Sequence, residues 1–375
     1  MHGRITVSAP GRICLFGEHQ DFLGLSVIAC AIDLDIRITG TPRADTRFAI
    51  DMPDVQLRDE FDAARRVPYH GRRDYIRSAT NVVARNGLRF TRGYDCTVRG
   101  TIPINAGASS SSALTVAWVS FAWASQTGEL PARREEIARL AHLAEVVEFG
   151  EPGGMMDHYT SAIGGLLHID CREPITVERL PAQLDGFVLG DSLQPKDTTG
   201  VLGRSRAAVE AGLAVLRDNI PDFDFRTTSL AEAEPFLDQM APESRRRIVA
   251  NFHNREICRE ARELLSRPDP DPQRLGELLL RHHEHLRDGI GVSTPKIDRM
   301  LAAAMAAGAL GGKVNGSGGG GTMFAWAPGR QEQVREALDR AGGRGIIIQP
   351  RAGATLLRDE DMPAEDREPL EEGKR

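Results

Sequence analysis

The stretch Pro103–Trp118 reads PINAGASSSSALTVAW, and its reading decides the fold. Small residues at Asn105, Ala106, Gly107 and Ala108 run into four serines, Ser109, Ser110, Ser111 and Ser112, and then into an apolar, helix-forming run. Serine is poor inside a helix and good at its start, so the pattern is a loop feeding a helix N-terminus. Unpaired backbone N–H groups and the positive end of the helix dipole converge there, an arrangement that holds phosphate without a dedicated cation. Hydroxyls at that point can also ligate Mg2+. A flexible linker is the plain alternative, but linkers do not continue into ALTVAWVSFAWA. The stretch therefore predicts a nucleotide-handling protein.

Outward from it, β-type and helical patterns intermix. Arg4–Ala9 alternates like a strand that APGR then breaks, and Ser26–Thr39 reads as one or two strands rich in Val and Ile. Helical spacing covers Asp74–Asn86, a strand is expected over Tyr94–Ile102, and helices over Ser109–Ser125 and Arg134–Phe149, the last ended by Gly-Glu-Pro-Gly-Gly. Strands follow at Gly165–Asp170 and Gly186–Gly190. From Arg204 to Arg287 the pattern is mainly helical, and Thr294 with Pro295 opens another helix to Ala307. A Gly-rich loop then enters an apolar strand, a helix covers Arg330–Arg340, and Gly345–Gln349 closes as a strand. The prediction is a mixed α/β architecture in two lobes, divided between residues 170 and 205.

With 375 residues, of which 41% are hydrophobic, the chain fills one large or two ordinary domains. The formal charge of −6 is concentrated at one end, since Asp359–Arg375 holds eight acids against three bases and leaves 44 bases and 45 acids elsewhere. That tail is expected to be disordered. A near-neutral body with 5% aromatic residues points away from nucleic-acid and membrane partners. Cys14, Cys30, Cys96, Cys171 and Cys258 are odd in number and lack a CxxC pair, which argues for a reducing cytoplasm over disulfides or structural zinc. No signal-like N-terminus or bilayer-length apolar run is present, so a cytoplasmic protein is expected.

Three further constellations carry possible chemistry. In APGRICLFGEHQDFLGL (Ala9–Leu25), Pro10 and Gly11 suggest a turn, and Arg12, Glu18, His19 and Asp21 crowd polar groups around Ile13, Leu15 and Phe16. A structural ion pair of Arg12 with Glu18 or Asp21 explains that composition as well as a grip on a hydroxyl-rich substrate does. In AEVVEFGEPGGMMDHYTS (Ala144–Ser161), Glu145 lies late on a helix, and Asp157 follows a Gly-rich turn beside Met155 and Met156. Asp157 suits a base or a hydroxyl-orienting group, and a helix-capping aspartate fits as well. In GGKVNGSGGGGTMFAW (Gly311–Trp326), the glycine density means a tight turn or backbone packed against a ligand; the loop is not a Walker A motif, lacking Gly-Lys-Ser/Thr before a helix.

In this order and spacing, the motifs resemble those of the GHMP kinases, the group that includes galactokinase, homoserine kinase, mevalonate kinase and phosphomevalonate kinase. GRICLFGEHQDFLGL is similar to the family's first motif, PINAGASSSSA to its second and KVNGSGGGG to its third, and the likeness spans most of residues 4–350. Arg12 in place of the lysine usual in mevalonate kinases, the GEH followed by Asp21, the segment FGEPGGMMDH and the segment LRDGIGVSTPKID (Leu286–Asp298) favour the galactokinase branch. Gln20, Phe22 and Leu23 stand where that branch has Thr, Tyr and Asn, Leu25 where it has Gly, and His158 where it has Gln. Asn105 and Ala108 replace the usual Gly and Leu of the second motif.

The resemblance implies a two-lobed α+β fold, with a ribosomal-protein-S5-like lobe over residues 1–200 and a ferredoxin-like lobe over residues 201–358. It implies ATP-dependent phosphorylation of a sugar hydroxyl, the anomeric one, with Mg2+. Asp157 and Arg12 would be catalytic. ATP would lie along Pro103, Asn105, Ala106, Gly107, Ala108 and Ser109–Ser112, with Mg2+ on Ser111 and Glu145. Glu18, His19, Asp21 and Asp157 would grip the sugar over a floor formed by Gly316 and Gly318. Two other functions stay open: a GHMP kinase of a non-sugar alcohol such as mevalonate or homoserine, and a catalytically silent sugar sensor. Monomer and homodimer are equally compatible with the sequence.

Overall fold

The structure is a computed structural model that describes residues 3–104, 107–195 and 198–357. The expectations for Asn105, Ala106 and the acidic tail lie outside these residues. In chain order the strands are β1 (Ile5–Phe16), β2 (Val27–Pro42), β3 (Arg47–Met52), β4 (Leu57–Asp62), β5 (Tyr94–Gly100), β6 (Leu166–Asp170), β7 (Thr176–Arg179), β8 (Phe187–Asp191), β9 (Gly311–Asn315), β10 (Thr322–Trp326), β11 (Arg344–Ile348) and β12 (Thr355–Leu357). The helices are α1 (Tyr75–Arg85), α2 (Ser110–Thr127), α3 (Arg134–His142), α4 (Met156–Ile163), α5 (Thr198–Asn219), α6 (Leu230–Ala233), α7 (Pro242–Leu265), α8 (Pro272–Glu284), α9 (Pro295–Ala306) and α10 (Gln331–Arg340). None of the described helices is long and apolar enough to cross a membrane.

Strands β12-β1-β2-β5-β3-β4 form one sheet, with β6 and β7 continuing from β2, and β11-β8-β10-β9 form the other. The chain passes to the second sheet between β7 and β8, before residue 187, and β12 returns to the first. Each sheet follows from apolar alternation. In the second, Val188, Met323 and Ala325 face α9 and α10, while Leu189, Phe324 and Trp326 face the core shared with α7 and α8. The hairpin β3–β4 has little such alternation in its second strand, which is largely exposed, and the sequence gives no signal for it.

The expected break at APGR is instead a β-bulge. The pairing of β1 with β2 shifts register between Pro10 and Arg12, and the strand runs on to Phe16 with every residue buried. A bulge changes which face each residue presents. Before it, Ile5, Val7 and Ala9 point into the core under α2; after it, Cys14 points there and Ile13 and Leu15 point into the core against α7 and α8. One strand thereby serves both cores. Gly11 is required at the crossing, because a Cβ there would lie 2.7 Å from the carbonyl oxygen of Ala108.

Candidate active site

The bulge turns Arg12 toward α4. Its Nε donates to Asp157 Oδ1 at 2.7 Å and its Nη2 to Asp157 Oδ2 at 2.9 Å, a two-pronged pair. The remaining arm, Nη1, donates to the Gly107 carbonyl at 2.6 Å, so the guanidinium ties the first motif to both other segments. Burial opposes the Arg12 charge, but Asp157, Cys14 and Glu18 together outweigh it and hold the group above the ordinary arginine range. The pairings of Arg12 with Glu18 or Asp21 that composition allowed are not formed. Asp157 does not cap α4 either: Met155 holds the cap position without a side-chain bond, and the Asp157 carboxylate turns to Arg12.

Ser109 sits at the N-cap of α2 in the left-handed region, φ 63°, and no side chain caps the helix. Gly107, Ser109, Ser110, Ser111 and Ser112 line one cleft with Arg12, Asp157 and Glu145. Pro103 and Ala108 do not line it; Ala108 is fully buried beneath, its carbonyl accepting from the Arg12 backbone N–H. The helix expected to continue through Glu145 ends at His142, and Leu143–Val147 form a π-turn that carries Glu145. Such turns insert a residue and often occur at functional positions. Glu145 Oε2 lies 2.8 Å from His158 Nε2. His142 packs edge-on against His158, and burial, then the neighbouring His158, lowers its pKa to about 4.

Of the residues expected to grip the sugar, Glu18, His19, Asp21, Asp157 and Gly316 border the cleft. Asp21 lines the cleft, and accepts from the backbone N–H groups of Phe22 at 3.0 Å and Met156 at 3.3 Å. Burial and then the Asp157 charge raise its pKa. Gly154 must lack a side chain, since a Cβ would fall 1.9 Å from Asp21 Oδ2. His19 also lines the cleft, its Nε2 3.1 Å from the Ser317 carbonyl. Glu18 is 1% exposed and both its oxygens are engaged: Lys313 Nζ pairs with Oε2, and Gly316 N–H donates to Oε1 at 2.6 Å. Burial raises the Glu18 pKa, against the opposing pull of Lys313 and Gly316. Gly316 lines the cleft, whereas Gly318 turns against the Val292 carbonyl, where a Cβ would lie 2.3 Å away.

Sequence reasoning passed over Lys313, Asn315 and His158 as participants. Lys313 is fully buried and also donates to the carbonyls of Cys14 at 2.7 Å and Val314 at 2.9 Å. Asn315 donates to the Gly107 carbonyl at 3.0 Å and accepts from the Cys14 N–H at 3.0 Å, joining all three motifs. A lysine and an asparagine inside a buried apolar strand were the available signal, because such groups need partners when buried.

The three segments match three family profiles. Residues 2–42 match the galactokinase galactose-binding signature, residues 74–165 the GHMP kinases N terminal domain, and residues 243–344 the GHMP kinases C terminal. The galactokinase of Pasteurella multocida is 32% identical over 350 residues, covering 89% of this chain and 88% of its own. The chain belongs to the GHMP kinases. Another relative of this GHMP kinase is the mevalonate kinase of Thermococcus gammatolerans, 30% identical with 92% and 96% covered. Its fold is similar to that of Lactococcus lactis galactokinase complexed with galactose, with TM-score 0.81, 20% identity, and 94% and 95% of the two chains covered. GHMP kinases use ATP, and the open end of α2 beside Gly107 fits its phosphates.

Proposed function

We propose that this GHMP kinase is galactokinase-like and transfers the terminal phosphate of ATP to a sugar hydroxyl, the anomeric one. The single observation that carries the reading is the two-pronged Arg12–Asp157 pair facing the same cleft as the uncapped start of α2. Phosphoryl transfer requires positioning and charge neutralisation above all. The α2 N–H groups and the Gly107 loop hold the phosphates. Asp157, fixed in two places by Arg12, accepts the hydrogen bond of the acceptor hydroxyl and takes its proton as the new oxygen–phosphorus bond forms. Arg12 keeps its charge beside the group in flight, where fixed positive charge lowers the barrier.

Ser111 and Glu145 are hard-oxygen donors on the same cleft, a sparse set that suits Mg2+, and they would hold it. Mg2+ held there would supply positive charge to offset that of the phosphates. Asp21 and His19 grip sugar hydroxyls. Glu18, with both oxygens engaged, fixes the loop that carries them.

A non-sugar acceptor such as mevalonate or homoserine brings a carboxylate. At the acceptor end that group would meet Asp21 and Asp157, with Arg12 already paired and Lys313 fully buried. This favours a neutral polyol, in keeping with the match of residues 2–42 to the galactose-binding signature. The test is ADP formation from ATP·Mg2+ with hexoses, pentoses, uronic acids and N-acetylhexosamines beside mevalonate and homoserine. Asp157→Asn is expected to lower turnover with the preferred sugar by about 10^2–10^4-fold with little change in ATP affinity. Near-normal turnover in that variant refutes the assigned role, and ADP formation only with mevalonate or homoserine refutes the sugar.

A further inference from the structure

His158 borders the cleft yet takes no part in the proposed phosphoryl transfer. It is 1% exposed, follows Asp157 directly on α4, and its Nε2 lies 2.8 Å from Glu145 Oε2. The Glu145 carboxylate sits on a π-turn, not on a regular helix, and the turn itself is anchored where Ser78 Oγ donates to the Ala144 carbonyl at 2.7 Å. Beyond the backbone, Glu145 has three rotatable side-chain bonds, and ordering such a chain costs conformational entropy. Octahedral Mg2+ tolerates little error in ligand position. The contact with His158 fixes the carboxylate before any cation arrives. It also occupies Oε2, which leaves Oε1 for the cleft that Glu145 lines.

We propose that His158 is a positioning residue for the divalent cation: it holds Glu145 by Oε2 so that the carboxylate presents its other oxygen to the metal of the bound nucleotide. The proposal rests on the reading of Glu145 as a metal ligand. His142 supports the arrangement by packing edge-on against the His158 ring at 5.4 Å, which keeps the imidazole in the plane that reaches Glu145. Because Asp157 and His158 are consecutive on α4, one helix turn then sets both the group that faces the acceptor hydroxyl and the group that faces the metal ligand.

The test is Mn2+ binding to the full chain in the presence of ADP, read by electron paramagnetic resonance, with ADP affinity in EDTA and the melting temperature as controls. His158→Ala is expected to weaken Mn2+ binding about 10–100-fold, the range usual for loss of a partner that orients a metal ligand. Metal-free ADP affinity should not change. His158→Gln, which keeps an N–H donor, is expected to recover most of the loss. His158→Leu retains volume without a donor and replaces His158→Ala as the reading if that variant unfolds. Glu145→Gln is measured in parallel. If it binds Mn2+ as the parent does, the metal-ligand reading of Glu145 fails, and the proposal with it. If Glu145→Gln loses the metal while His158→Ala and His158→Leu hold it normally, the proposal alone is overturned. Equal losses in His158→Gln and His158→Ala overturn it too, because the donor would then not be what matters.

Discussion

Arg12 is asked for three directed contacts at once, two to the Asp157 carboxylate and one to the Gly107 carbonyl, and only a planar fork supplies them. Lysine carries the same charge on a single compact head and cannot keep both prongs on Asp157. Arg12→Lys is therefore expected to fold, with turnover lowered by about 10^2-fold as transition-state charge is met less well. Steady-state kinetics beside a thermal melt checks this; turnover within a few-fold of the parent would show that charge alone suffices. Much of this scale was legible in the sequence. Arg12, Asp157 and Ser111 share one cleft, as their motifs led one to expect. The partner of Arg12 was not legible, since Asp157 lies 145 residues away and Glu18 and Asp21 lie close by in sequence.

Among the elements, the Gly-rich turn after β9 shows how close approach governs the site. Gly316 has φ 73°, and a Cβ on it would lie 2.5 Å from the Gly107 carbonyl oxygen that Arg12 and Asn315 both use. An alanine there meets both backbone strain and that oxygen, and would push the third motif away from the second. Gly316→Ala is expected to cost about 2–4 kcal/mol, combining a left-handed residue with overpacking, and to raise the KM for ATP. Urea unfolding and ATP titrations measure the two effects; an unchanged midpoint would mean the turn has room to move. Glycine density in the sequence announced a tight turn here. It did not distinguish Gly316, which lines the cleft, from Gly318, which packs on Val292. Nor did local pattern foresee the bulge at Pro10–Arg12, because proline and glycine in succession read the same in a turn and in an irregular strand.

Across the whole molecule, the two sheets are joined through the buried pair of Lys313 on β9 and Glu18 after β1. Removing one member leaves the other charged and without its partner in the interior, which typically costs about 3–5 kcal/mol. Lys313→Met is expected to lose stability of that order, and the double variant Lys313→Met with Glu18→Gln to regain a large part of it. Chemical denaturation of the two variants decides the matter; additive losses would mean that the contact contributes no coupling between the sheets. In this arrangement Glu18 anchors the loop that carries His19 and Asp21, and all three border the cleft.

The sequence by itself determined the α/β character, the serine-rich helix start, and the motifs that place this chain among the GHMP kinases. Those features depend on local backbone preference and on residue order, which neighbours in the chain decide. Only the tertiary structure decided that Arg12 pairs with Asp157, that Lys313 claims Glu18, that His158 meets Glu145, and that the chain changes sheet before β8 and returns to the first with β12. A buried charge must find a partner, but which one it finds depends on which strands and helices packing brings within 3 Å, and no periodicity in a linear chain encodes that distance.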